Sequence, residues 1–136
     1  MTNPALRNRY LAETVATASP GQLLVMLYDR LVVDLTQAED AMHAGDRGTA
    51  SERLMHAQDI VAELRSTLDV TAWEGAAGLA QLYGFLFSHL IKANIRRDPA
   101  IVAECREIVE PLRDAWREAH LATRTGESSS LIASAK

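Results

Sequence analysis

The chain has 136 residues, a formal charge of −4, 48% hydrophobic residues and only 5% aromatic ones. Its 22 Ala and 17 Leu outnumber the 14 Val and Ile together, a balance that favours helix over strand. No apolar run reaches the ~18 residues of a membrane span, the N-terminus lacks a signal-peptide core, and one cysteine excludes an internal disulfide framework. The single cysteine suits a reducing cytoplasm. The acidic balance argues against general binding to nucleic acid or anionic membranes.

Residues 1–18 form a weakly amphipathic helical segment carrying Leu6, Tyr10, Leu11, Val15 and Ala18. It is too short to hold helix alone and must dock to be ordered. A first long helix opens at Ser19-Pro20-Gly21-Gln22, a capping box with Pro near the first helical position. Leu24, Leu27, Leu31, Leu35, Ala38 and Met42 then recur at steps of three and four until Gly45 ends it. From about Arg47 to Asp69 a second seam follows: Ala50, Leu54, Ala57, Val61, Leu64 and Leu68.

The stretch from Val70 to Ala77 holds Trp73 and Gly75 and reads as the longest internal connection. A third helix carries Leu79, Tyr83, Leu86, Leu90 and Ala93, and Asp98-Pro99 separates it from a fourth. That last helix lines up Ile101, Cys105, Ile108, Leu112, Ala115 and Ala119, with Val102, Val109 and Trp116 alongside. Pro111 interrupts it and predicts a kink. Residues 125–136, rich in Ser, read as a disordered tail. The short joints at Gly45-Asp46 and Arg96-Arg97-Asp98 make successive helices antiparallel. The expected fold is all-α, an up-down-up-down four-helix bundle over residues 19–124 with the short N-terminal segment ahead of it.

Enzyme templates find no match. There is no phosphate-binding glycine loop and no Glu-x-x-His di-iron signature. Cys105 falls within an apolar stripe, which marks it as core. Glu39 with His43, and Glu52 with His56, share helix faces at four-residue spacing; a polar flank explains them better than a metal site. No cofactor, metal or catalytic residue is expected. Ser88-His89-Leu90-Ile91-Lys92-Ala93 resembles the histidine phosphotransfer motif. There a bundle helix presents a phospho-accepting His, and a signalling bundle using His89 is the alternative function. The Gly common after the Lys in that motif is Ala93 here.

A stronger signal is apolar surface beyond the needs of the core. From Leu23 through Val33 only Asp29 and Arg30 are charged among eleven residues. Val25 and Val32 overshoot the core arc, while Met26 and Val33 stack opposite it. Met55 and Phe85 also point away from their own seams. Such a surplus fits a docking surface for a peptide or helix.

Tyr10, then Thr17-Ala18-Ser19-Pro20, then Leu23-Leu24-Val25-Met26-Leu27-Tyr28-Asp29 resembles the opening of the flagellar secretion chaperone family FliS. The resemblance continues through Ala57-Gln58-Asp59-Ile60-Val61-Ala62-Glu63-Leu64 and Leu68-Asp69. It resumes at Leu79-x-x-Leu82-Tyr83, Leu90-x-x-Ala93-Asn94 and Leu112-Arg113-Asp114-Ala115-Trp116. It implies an antiparallel bundle, not an enzyme, that binds the C-terminal region of flagellin in the cytoplasm, one to one. Such a protein prevents premature polymerisation and aids delivery to the flagellar export gate. Neither nucleic acid nor membrane insertion is implied. On this footing Val25, Met26, Tyr28 and Val32 are expected in a flagellin groove, with Asn94 as a polar fixing point. Tyr10, Leu11 and Val15 are expected to form a lid over that groove. For Tyr28 a core position with its hydroxyl at the edge is an equal expectation.

Overall fold

The computed structural model describes residues 19–134, with side chains to residue 123. Four helices follow one another: α1 (Pro20–His43), α2 (Arg47–Thr67), α3 (Ala76–Arg96) and α4 (Pro99–Ser134). Each packs on its neighbours in a closed cycle, α1 against α2 and α4, and α3 against the same two. This is the antiparallel four-helix bundle the spacing predicts.

The ends of the helices follow from local chemistry. Gln22 N–H donates to Ser19 Oγ at 3.2 Å, the forward half of the capping box. At the far end of α1 the N–H of Gly45 reaches Met42 O at 3.1 Å and that of Asp46 reaches Ala41 O at 2.8 Å. This is a Schellman closure, and Gly45 supplies its left-handed residue at φ 75°. Asp46 then caps α2, accepting from Thr49 N–H at 3.1 Å. Asp98 accepts from Ala100 N–H at 2.9 Å to open α4.

The core runs along the predicted seams. Leu31, Leu35 and Ala38 of α1 meet Leu54, Ala57, Val61 and Leu64 of α2, with Tyr83, Leu86, Leu90 and Ala93 of α3 closing over them. Fully burying each Leu or Tyr contributes about 1.5–3 kcal/mol. In α4 the buried stripe is Val102, Cys105 and Val109, continued by Leu112 and Trp116. Ala115 and Ala119, expected in the seam, are exposed. Beyond Val109 the larger Trp116 takes the inward position, and the small alanines fall beside it. The helix is continuous across Pro111, whose ring sits on the exposed side. The backbone stays helical to Ser134, through the stretch whose composition reads as a tail.

Ion pairs set the register of α1 against α4. Arg106 reaches Glu39 at 3.0 Å and Arg117 reaches Asp29 at 2.6 Å. Exposed pairs like these contribute little stability, ~0–1 kcal/mol each, but hold the two helices in phase.

Among the described residues one acid is fully buried. Asp34 lies between α1 and α2 with Arg30 at 3.2 Å, Arg53 at 3.8 Å and His56 Nδ1 in direct hydrogen-bond contact. His56 therefore turns to Asp34 rather than to Glu52, while Glu39 and His43 stand 4.0 Å apart. Buried carboxylates survive only with such partners.

Candidate functional site

The α1 seam does not close at its first turns. Leu24 and Leu27 fall on the core side, yet both are only half-buried, because they face an open groove of about 730 Å³. Pro20 and Leu23 extend this wall to the start of α1. The opposite wall is the end of α2, Leu64 and Leu68, followed by Ala72 and Trp73 from the α2–α3 loop. Leu79 and Tyr83 of α3 and Trp116 of α4 complete it. Glu63, Thr67 and Asp69 supply a polar rim on one side.

Two tryptophans frame the opening. Trp73 and Trp116 meet edge to face, centroids 6.4 Å apart and planes at 84°, a favoured aromatic geometry. Trp73 lies across Gly75, where an added Cβ would come within 2.1 Å of its ring. Glycine is thus required for the loop to carry the indole so close to its own backbone. Asp69 braces the same loop, accepting from Thr71 N–H at 2.9 Å and Thr71 Oγ1 at 2.7 Å; these bonds hold its carboxyl below the ordinary range.

Beneath the apolar walls runs a short polar chain. The Tyr28 and Tyr83 hydroxyls are 2.6 Å apart, with Trp116 close to Tyr28. Burial pushes the Tyr28 hydroxyl above its ordinary range, against the pull of Tyr83 and Trp116 beside it. Tyr83 is pushed up further, first by burial and then by Tyr28. Both phenols stay neutral, and every polar tip under the groove is satisfied internally. What the groove offers outward is apolar.

The expected site residues separate in space. Tyr28 is fully buried and acts from below the groove through Tyr83. Val32 is also buried, one turn deeper along α1. Val25 and Met26 are half-buried on α1 and do not line the groove. Asn94 lies at the other end of the bundle, in a smaller cleft of about 410 Å³ with Ser51, Arg47 and Arg97. Tyr10, Leu11 and Val15 lie outside the described residues. Sequence reasoning missed Trp73, Ala72 and Leu68 as walls. A tryptophan in a loop between Thr and Gly residues was the available signal, since a solvated loop has no use for so large an apolar ring.

Two further candidates are accounted for by their surroundings. His89 directs Nε2 to Glu104 at 3.1 Å and stacks on Phe85 with centroids 4.4 Å apart. A phosphoryl group on that nitrogen would meet a carboxylate. Cys105 is fully buried, and burial pushes its thiol up to about 12, so it is a core residue and not a nucleophile.

By class this is an antiparallel helical bundle with an apolar groove left open between all four helices and a loop. The family model described as "Flagellar protein FliS" matches residues 1–123. The chain is 35% identical to the flagellar secretion chaperone FliS of Bacillus subtilis over 118 residues, 85% of this chain and 88% of the relative. It is 33% identical to the Vibrio cholerae protein of that name, over 75% of this chain and 76% of the relative. With the Salmonella typhimurium protein of that name it shares 31% over 76% and 78%. The chain belongs to the FliS family, a chaperone family and not an enzyme family.

Proposed function

We propose that this protein is a cytoplasmic flagellar export chaperone that seats the C-terminal segment of flagellin in the groove between Leu24, Leu68, Trp73 and Trp116. The observation that carries the reading is the groove itself: about 730 Å³, walled by apolar side chains and open at one end of the core. An amphipathic client helix inserting two or three large apolar side chains gains about 1.5–3 kcal/mol for each. The sum, about 3–9 kcal/mol, is of the size needed to offset the roughly 2–5 kcal/mol of ordering a disordered segment. Bound this way, the client's apolar face is unavailable for self-association until it is handed to the export gate. Among the described residues no helix is long and apolar enough to cross a membrane.

Tyr10, Leu11 and Val15 are proposed to cover the groove when it is empty. Support comes from the point of attachment: the N-terminal segment joins the bundle at Ser19-Pro20, and Pro20 is part of the groove wall. Val25 and Met26 are proposed to extend the contact along α1, with Tyr28 and Val32 supporting it from beneath.

The test is a mixture of the purified protein with a flagellin C-terminal peptide. A one-to-one complex by light scattering, with a gain in helical circular dichroism, is the expected outcome. Absence of a complex at micromolar concentrations contradicts the proposal. Deleting residues 1–16 should change the affinity while leaving the melting temperature nearly intact; an unchanged affinity removes the lid.

A further inference from the structure

We propose that the cleft at the opposite end of the bundle is a second binding site, specific for a carboxylate on an amphipathic peptide segment. It is formed where the α1–α2 turn meets the end of α3, and it is independent of what fills the groove. Its volume is about 410 Å³.

The first ground is unspent positive charge. Arg30, Arg53, Arg106, Arg113 and Arg117 each have a carboxylate partner. Arg47, Arg65, Lys92, Arg96 and Arg97 have no ion pair among the described residues, and of these Arg47 and Arg97 share the lining of the cleft. The acids beside them are committed elsewhere. Asp46 accepts from Thr49 N–H at 3.1 Å and Thr49 Oγ1 at 2.7 Å, and Asp98 caps α4. Between the two arginines, Asn94 makes only a long 3.4 Å bond from Nδ2 to Ser51 Oγ. The cleft therefore presents guanidinium and amide donors with no acceptor of its own charge, the donor set that recognises a carboxylate.

The second ground is the backbone of Arg97. It sits in the left-handed region at φ 53°, the conformation that its counterpart turn assigns to Gly45 at φ 75°. Glycine is the relaxed residue there. The turn closes α3, with Asp98 N–H on Ala93 O at 3.3 Å, and it fixes the point from which the Arg97 side chain joins the lining of the cleft.

The third ground is the apolar border. Met42 lines the cleft beside Ile95, which is 76% exposed, and Ile91 stands one turn back along α3, also exposed. A segment that pairs an acidic side chain with an apolar neighbour satisfies both features. Nucleic acid fits less well, since no aromatic ring lines the cleft for base stacking and the chain's net charge is −4.

The experiment uses the full chain and a fluorescein-labelled helical peptide with Glu beside Leu at four-residue spacing, its Gln counterpart, and an oligo-dT strand, read by polarisation. Protein variants are Arg47→Gln, Arg97→Gly, the pair together, and Trp73→Ala. Arg97→Gly relaxes the turn, so loss of binding in it is not loss of fold; equal or higher melting temperature verifies this. The Glu peptide should bind, the Gln peptide roughly tenfold more weakly, and the double variant should lose roughly tenfold. Trp73→Ala should leave the affinity unchanged, and amide shifts should centre on Asn94 and Ile95. Equal binding of the two peptides, full binding by the double variant, dependence on Trp73, preference for oligo-dT, or no binding of the Glu peptide would each overturn the proposal.

Discussion

The two ends of this bundle are built from the same four helices but finish differently. At the end holding Gly45 and Arg97, each turn is short, the seams close on Ala38 and Ala93, and the open space is bordered by polar donors. At the end holding Pro20 and the α2–α3 loop, the seams finish in Leu24, Leu68 and Leu79, and no short turn seals them. A seam of alanines allows helices to approach; a seam of leucines held apart by a loop with Trp73 leaves a groove. The contrast shows that apolar surface becomes a docking site when the connection beyond it is long, not merely when a helix carries extra hydrophobes.

The most severe way to break this contrast is to place charge at the apolar end. Leu24→Glu puts a carboxylate against Leu64 and Trp116, and flagellin-peptide affinity should fall roughly a hundredfold or more by calorimetry. Affinity for the acidic probe at the other end should be unchanged in that variant; an equal loss at both ends would mean global damage.

Between the two ends lies Asp34. Asp34→Ala leaves Arg30, Arg53 and His56 around a vacated buried position and should destabilise the fold by about 2–3 kcal/mol in urea unfolding. Affinity per folded molecule should not move at either end. A neutral result would show that the buried cluster contributes no stability.

Alkali probes how dry each half of the core is. Cys105 has its thiol raised from an ordinary 9.0 to about 12, and the Tyr28 and Tyr83 hydroxyls are raised from an ordinary 10.0. In each case the unfolded chain loses its proton first. Their contribution is therefore fully present below pH 9 and is lost as pH rises, first across the 9 to 12 window of the thiol, then above 10 for the phenols. The slope is up to about 1.4 kcal/mol per pH unit for each group. Chemical unfolding at pH 8, 10 and 11 measures it, and Cys105→Ala should remove the portion that begins near pH 9. A flat profile to pH 11 contradicts the burial of all three.

The mildest change sharpens the groove alone. Gly75→Ala introduces a methyl within 2.1 Å of the Trp73 ring and should swing the indole outward. We expect a red shift in emission and a change of roughly threefold in client affinity, with melting almost unaffected because Trp73 is already half exposed.

Much of the fold was legible in the sequence because its signals are local. Ser19, Gly45 and Asp98 mark boundaries through bonds reaching two to five residues, and the three-and-four spacing named the buried face of each helix. The groove was legible only as a surplus on the first helix. Its walls come from five separate segments, and Trp73 joins Trp116 across 43 positions through the one connection with no periodicity to read. Val32 was read as groove surface, and Tyr28 as groove or core equally, because a helical wheel gives an angle and not the width of the neighbour that covers it. Asp34 was illegible for a similar reason: its partners Arg53 and His56 stand on another helix. Asn94 was drawn to the groove by family pattern, and only the antiparallel order shows it at the opposite end.

The chain contains two tryptophans, and both line the groove, so its indole emission reports on that site alone. Titration of a tryptophan-free flagellin C-terminal peptide should therefore shift the emission to the blue, protect it from iodide quenching, and saturate at one peptide per protein. A complex that forms while emission and quenching stay unchanged would place the client elsewhere and contradict the account.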